Sequence, residues 1–230
     1  MSCHPYAVIT AQRLLPVLRS PDADAAVHRA GALLAAGCRA VELTTTTPGW
    51  AEAVRRTVPL ADARGRSAVV GVGTVATARQ AETALDAGAA FLVSPYPAPE
   101  VREVAERRSA VFIEGGFTPG EVAAAARSAG AAKVFPAHVG GPQFIRSLKA
   151  VLPEALIVPT GGIRPAEVPV WLAAGAAAVG IGSGLPDDPG ELAAVFAELA
   201  GPCCAACEGD AAAATAAAPG RPDAAPGERP

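Results

Sequence analysis

The chain has 230 residues and a formal net charge of −3, long enough for one large α/β domain or two small ones with a full core. That charge balance lacks the basic footprint of a nucleic-acid binder, and no apolar run reaches the ~18 residues of a membrane-spanning helix. The five cysteines (Cys3, Cys38, Cys203, Cys204, Cys207) form no evenly spaced framework and no charged-then-apolar leader precedes Arg13, so a reducing cytoplasm is the expected compartment.

Leu14 to Arg19 reads as a first strand ending in an arginine. Ser20-Pro21-Asp22 reads as an N-cap with proline in the first helical turn, and the helix that follows stops at Gly37. Arg39 to Leu43 is a second strand, followed by four threonines and by Pro48, which opens the next helix. Ala68 to Val72 is a third strand leading into Gly73-Thr74, and an alanine-rich helix then stops at Gly88. Ala90 to Val93 is a fourth strand ending at Ser94-Pro95, and Val111 to Glu114 a fifth ending at Gly115-Gly116. Thr118-Pro119-Gly120-Glu121 is a capping-box start for a helix that stops at Gly130. Ala131 to Pro136 is a sixth strand, and a helix from about Pro142 to Leu152 follows it. Leu156 to Pro159 is a seventh strand ending at Thr160-Gly161-Gly162, with a helix from Pro165 to Gly175. Ala177 to Ile181 is an eighth, ending at Gly182-Ser183-Gly184, and 188–200 form the last helix.

The chain repeats itself. An Ala-Gly pair ends a helix at Gly37, Gly88, Gly130 and Gly175, about every 45 residues, the length of two strand-helix units. Alternating strands and helices force parallel pairing, so the expected fold is α/β, a single (β/α)8 TIM barrel over residues 1–200. An open doubly wound sheet fits less well, because polar and glycine signals follow most strands rather than one switch point. Residues 201–230 turn to alanine, proline, glycine and cysteine without apolar periodicity, and are expected to be a disordered tail. Cys204 and Cys207 make a C-x-x-C with no second pair or histidine nearby, which argues against a metal or redox role.

The active end of such a barrel is the C-terminal end of its strands. Lys133 stands inside the sixth strand, in a chain with only two lysines, Lys133 and Lys149. An unpaired buried ammonium costs several kcal/mol, so Lys133 snorkels, is paired, or works as a neutral amine. Glu42 is a second charge in an apolar strand, readable as half of a strand-end salt bridge with Arg19 or Arg39. Together they suggest more. An amine kept neutral by burial or by a nearby cation is a nucleophile able to form a Schiff base, and a carboxylate beside it can move protons. Arg19 is a plausible cationic neighbour or a clamp for a substrate carboxylate. Glycine turns at Gly161-Gly162 and Gly182-Ser183 suit a phosphate, or simply let the chain turn.

These residues carry a resemblance. Pro16-Val17-Leu18-Arg19, Val41-Glu42-Leu43-Thr44, Gly71-Val72-Gly73-Thr74-Val75, Ser94-Pro95, Lys133-Val134-Phe135-Pro136, Pro159-Thr160-Gly161-Gly162-Ile163 and Gly182-Ser183 run in order over about residues 14–200. The ordered set resembles the class I 2-keto-3-deoxy-6-phosphogluconate (KDPG) and 2-keto-3-deoxy-6-phosphogalactonate aldolase family. The resemblance implies a homotrimeric barrel without metal or other cofactor. It implies cleavage of a phosphorylated 2-keto acid to pyruvate and D-glyceraldehyde 3-phosphate. Lys133 would be the Schiff-base lysine and Glu42 the acid/base. Arg19 and Thr74 would face the pyruvyl end, with Pro95 beside the substrate and Thr160, Gly161, Gly162, Gly182 and Ser183 towards the distal hydroxyls and phosphate.

Three positions depart from the family pattern. Thr46 stands where gluconate-type enzymes often carry arginine, Glu114 where a proline usually precedes a glycine, and His138 where many relatives have Glu or Ser. An extra carboxylate at Glu114 would repel an acidic substrate or pair with Arg19, and His138 reads as a surface loop residue. Two other readings compete with the aldolase: a phosphate-binding barrel isomerase or epimerase, and a barrel that binds a ligand without turnover.

Overall fold

The computed structural model describes residues 4–63 and 68–201. The expected tail, with Cys203, Cys204 and Cys207, and also Cys3, therefore lie outside the described residues apart from Gly201. Eight strands form the frame: β1 (Leu14–Leu18), β2 (Ala40–Thr44), β3 (Val69–Gly73), β4 (Phe91–Val93), β5 (Val111–Gly116), β6 (Ala131–Val134), β7 (Leu156–Pro159) and β8 (Val179–Ile181). All paired neighbours are parallel, in the order β7-β6-β5-β4-β3-β2-β1-β8. The ring closes between β7 and β8 through the Thr160–Gly180 bridge and an Ala177 N–H donated to Ile157 O at 2.9 Å. This is the (β/α)8 barrel that the alternating pattern predicts.

The helices are α1 (Pro5–Gln12), α2 (Ala23–Ala35), α3 (Trp50–Asp62), α4 (Ala78–Asp86), α5 (Pro99–Arg107), α6 (Pro119–Ala129), α7 (Ala137–Val151), α8 (Val168–Ala173) and α9 (Pro189–Leu199). The predicted stops hold: Gly37 and Gly130 sit at φ +96° and +76°, a backbone that side-chain-bearing residues avoid. The Thr118/Glu121 capping box forms as read. The cap of α2 is Asp22 rather than Ser20, its carboxylate accepting the Ala25 N–H at 2.8 Å. β1 ends at Leu18, leaving Arg19 in the following loop. α7 begins five residues before Pro142, because Gly141, at φ +64°, lets a first turn from Ala137 join the main helix across a kink.

Strand residues alternate between two layers. Val41, Leu43, Val70, Val72, Leu92, Phe112, Ala132, Val134, Val179 and Ile181 point outward and pack on the helices. Leu15, Ala40, Val69, Phe91, Val93, Ile113 and Ala178 point inward. Helix α1, which the sequence reading leaves without an element, plugs the bottom of this interior with Val8 and Ile9. Gln12 completes the plug: its amide donates to Leu14 O (2.5 Å) and Ala40 O (2.8 Å), and its oxygen accepts the N–H groups of Arg39 and Ala40. Burying each aliphatic plug residue stabilises the fold by about 1.5–3 kcal/mol. The opposite end, at the C-terminal ends of the strands, is where such a barrel carries its site.

Candidate active site

The alternation that sends Ala132 and Val134 outward sends Lys133 inward from β6, and the one that sends Val41 and Leu43 outward sends Glu42 inward from β2. The two meet across the barrel, Lys133 Nζ standing 3.7 Å from Glu42 Oε1, with side-chain exposures of 5 % and 1 %. This is a contact of charges rather than a hydrogen bond. Glu42 Oε1 is fully buried and accepts no hydrogen bond from any described residue. Burial pushes the Glu42 carboxyl above the usual carboxylate range, while the Lys133 ammonium and, more weakly, the Arg19 guanidinium pull it back. The salt-bridge reading of Glu42 is thus half right, but its partner is Lys133 and the pair lies in the barrel interior.

Glycine makes the pair possible. A Cβ at Gly73, on the neighbouring β3, would lie 1.6 Å from Glu42 Oε1. The Phe135 ring lies with its centroid 5.7 Å from Lys133 Nζ and also backs the Gly161 turn, so this ring, not singled out from the sequence, belongs to the site. Its signal was its place two residues past Lys133 on the same strand end.

The other expected residues lie at the C-terminal ends of the remaining strands, in separate groups. Thr74 follows β3 with a left-handed backbone, φ +59°, and its carbonyl accepts the Thr45 hydroxyl at 2.7 Å. Pro95 lies in the β4–α5 connection, whose backbone is pressed against Gly115 and held by Ser94, which donates to Tyr96 O at 2.7 Å and accepts the Gly115 N–H at 3.0 Å. Thr160 is buried at the barrel closure, and Gly161 and Gly162 turn at φ +97° and +69° beside Phe135 and His138. Gly182 and Ser183 line a cavity of about 170 Å³ with Arg19, Ser20, Arg29 and Leu185. Arg19 therefore shares its cavity with the turn after β8, as well as acting on Glu42. A larger cavity of about 410 Å³, lined by Trp50, Arg55 and Arg79, lies between α3 and α4 and holds none of these groups.

The three departures find places. Glu114, 2 % exposed, points outward from β5 and binds Arg102 of α5 through Nε (2.9 Å) and Nη2 (2.7 Å), while accepting the Ala98 N–H at 2.7 Å. It neither pairs with Arg19 nor faces the interior, which corrects both expectations. Strand alternation gives the reason, since Ile113 and Gly115 take the inward positions. His138 is exposed as expected, but it sits in the first turn of α7, its Nδ1 3.4 Å from Gly161 O and its ring against Gly162. Thr46 accepts the Arg19 Nε–H at 3.0 Å. A further group unforeseen from the sequence is Arg29 of α2, which donates to Leu185 O (3.1 Å) and Pro186 O (2.8 Å) and meets Asp187 at 3.1 Å, tying down the loop after β8. Among the described residues, no three His, Cys, Asp or Glu side chains are grouped to hold a metal.

A parallel barrel with a buried amine beside a carboxylate, and with hydroxyls, a guanidinium and glycine turns at its other strand ends, defines a class: a barrel lyase of the class I aldolase type. Comparison with known proteins agrees. The family described as KDPG and KHG aldolase matches residues 6–196. The 2-dehydro-3-deoxy-6-phosphogalactonate aldolase of Escherichia coli K12 is 35 % identical over 174 residues, 75 % of this chain and 83 % of the relative. The 2-dehydro-3-deoxy-phosphogluconate aldolase of Zymomonas mobilis is 32 % identical over 163 residues, 69 % of this chain and 75 % of the relative. The KDPG aldolase of Legionella pneumophila, solved with pyruvate captured as a covalent carbinolamine intermediate, superposes with a TM-score of 0.75 at 25 % identity, covering 86 % of this chain and 99 % of that one. This chain belongs to the KDPG and KHG aldolase family, and is an aldehyde-lyase.

Proposed function

We propose that the barrel cleaves a 2-keto-3-deoxy-6-phospho sugar acid, of gluconate or galactonate type, to pyruvate and D-glyceraldehyde 3-phosphate through a Schiff base on Lys133. The observation that carries this is the buried Lys133–Glu42 pair at the open end of the barrel. Neutral Lys133 attacks the C2 ketone to give a carbinolamine, which loses water to an iminium. The iminium draws the electron pair of the C3–C4 bond into an enamine as that bond breaks. Glu42, directly or through a water, takes the proton of the C4 hydroxyl, so that C4 leaves as the aldehyde. Protonation of the enamine at C3 and addition of water then release pyruvate and restore the amine. A carboxyl raised by burial suits both halves of this proton traffic. The iminium is itself the electrophile, so the scheme needs no cofactor.

Arg19 and Thr74 take the pyruvyl end and Pro95 packs beside it. Thr160, Gly161, Gly162, Gly182 and Ser183 take the distal hydroxyls and phosphate, where two glycine turns and the Ser183 hydroxyl supply donors. The relatives' names support the substrate class, and the pyruvate carbinolamine of the Legionella enzyme supports covalent chemistry. The protein works as a homotrimer, without nucleic-acid or membrane partner, in the cytoplasm. No described helix is long and apolar enough to cross a membrane.

The test is pyruvate release across a panel of 2-keto-3-deoxy acids, each with and without the 6-phosphate. The proposal expects release from a phosphorylated acid, reduced without the phosphate and abolished by Lys133→Met. Equal rates with and without phosphate would remove the phosphate assignment of Gly161, Gly162 and Ser183. Isomerisation of a sugar phosphate without pyruvate release would replace the aldolase with an isomerase.

A further inference from the structure

The run Thr44-Thr45-Thr46-Thr47 follows Glu42 directly, and each of its hydroxyls is used. The Thr44 hydroxyl donates to Leu18 O at 3.0 Å and lies 2.9 Å from the Thr46 hydroxyl. Thr46 accepts the Arg19 Nε–H at 3.0 Å. Thr47 accepts the Ser20 N–H at 3.1 Å. Thr45 turns the other way and donates to Thr74 O at 2.7 Å. Three hydroxyls thus tie the end of β1, and the fourth ties the end of β3.

The hydrogens give the chain a direction. Arg19 can only donate, and Thr44 spends its hydrogen on Leu18 O, so the order is Arg19 Nε to Thr46, Thr46 to Thr44, and Thr44 to Leu18 O. The guanidinium is held through Nε alone, and no described residue bonds its two terminal nitrogens. Those two nitrogens are the fork that a carboxylate accepts. On the other side, Thr74 is a β-branched residue at φ +59°, a conformation that costs about 1–3 kcal/mol and persists only where its surroundings impose it. The Thr45 hydroxyl on its carbonyl is such an imposition.

We propose that the four-threonine run is a positioning frame for the carboxylate end of a 2-keto acid: Thr46 aims the Arg19 guanidinium, and Thr45 holds Thr74 in its left-handed turn, on the two strands that flank Glu42. This deepens the aldolase reading and rests on it. These threonines are positioning residues, since none of them is assigned a contact with the reacting atoms.

The test measures the concentration of pyruvate that half-saturates inactivation by borohydride, in the unsubstituted protein and in Thr46→Val, Thr46→Ser and Thr45→Val. Neutral pyruvamide serves as the control ketone. Removing one aiming hydrogen bond weakens pyruvate about tenfold in Thr46→Val and in Thr45→Val. The inactivation rate at saturation stays within about twofold, Thr46→Ser restores pyruvate affinity, and pyruvamide binds all the variants alike. Valine keeps the shape of threonine, and a thermal melt establishes that each variant is folded. Unchanged half-saturation by pyruvate in folded Thr46→Val overturns the proposal, as does an equal loss of pyruvamide binding. If pyruvate does not inactivate the unsubstituted protein, the Schiff-base reading beneath the proposal fails with it.

Discussion

Glu42 reaches Lys133 because Gly73 gives it room. A methyl group at Gly73 would occupy the place of the carboxylate, 1.6 Å from Oε1. Gly73→Ala is therefore expected to lower kcat about a hundredfold by displacing Glu42, for a stability cost of only about 1–3 kcal/mol, because a side-chain tip yields more readily than backbone. Steady-state rates set beside a urea titration check both halves of this. The second expectation at this scale concerns pH. Burial holds the Glu42 carboxyl high and Arg19 draws it down, so removing the guanidinium lets it rise further. In the proposed cleavage the carboxylate form accepts the C4 hydroxyl proton, so the rate is expected to fall as pH drops and the carboxylate takes up a proton. In Arg19→Gln the acid limb of kcat/KM moves to higher pH than in the unsubstituted protein. Titration of the substrate phosphate is common to both profiles and cancels in the comparison.

The elements show what a linear sequence carries and what it hides. Strand ends and helix stops were readable because each has a local cause: a glycine with positive φ, a Thr–Glu capping box, a polar residue closing an apolar run. Facing was harder. Glu114 is visible in the sequence as a charge at the active end of β5, but whether it points inward depends on the alternation of the strand, and its partner Arg102 lies on α5, which has no strong local signal. Lys133 and Glu42 were each conspicuous as charges in apolar strands, yet their 3.7 Å meeting across 91 positions exists only once the barrel closes. Arg29 was hidden for the same reason, being an ordinary helical arginine until α2 packs beside the loop after β8. That loop carries Gly182 and Ser183, so Arg29→Met is expected to raise KM for the phosphorylated acid about fivefold while leaving the unphosphorylated acid unchanged. Steady-state kinetics on the two acids side by side check it.

At the scale of the molecule, one end of the barrel is plugged and the other is chemical. Helix α1 is hard to see in the sequence because it lies across the bottom of the barrel instead of along its wall, so it lacks the stripe of a surface helix. Its Ile9, 1 % exposed, is a cork. Ile9→Ala is expected to destabilise the protein by about 3 kcal/mol and lower Tm by roughly 6–12 °C, with kcat at lower temperature unchanged. Calorimetry and rate measurements separate these effects.

The covalent bond proposed between the substrate and Lys133 can be trapped by reduction. Incubation with pyruvate and borohydride, followed by proteolysis and mass spectrometry, is predicted to add one reduced pyruvyl group at Lys133 and none at Lys149. A folded protein left unmodified at Lys133 after treatment with pyruvate and borohydride would rule out the Schiff base.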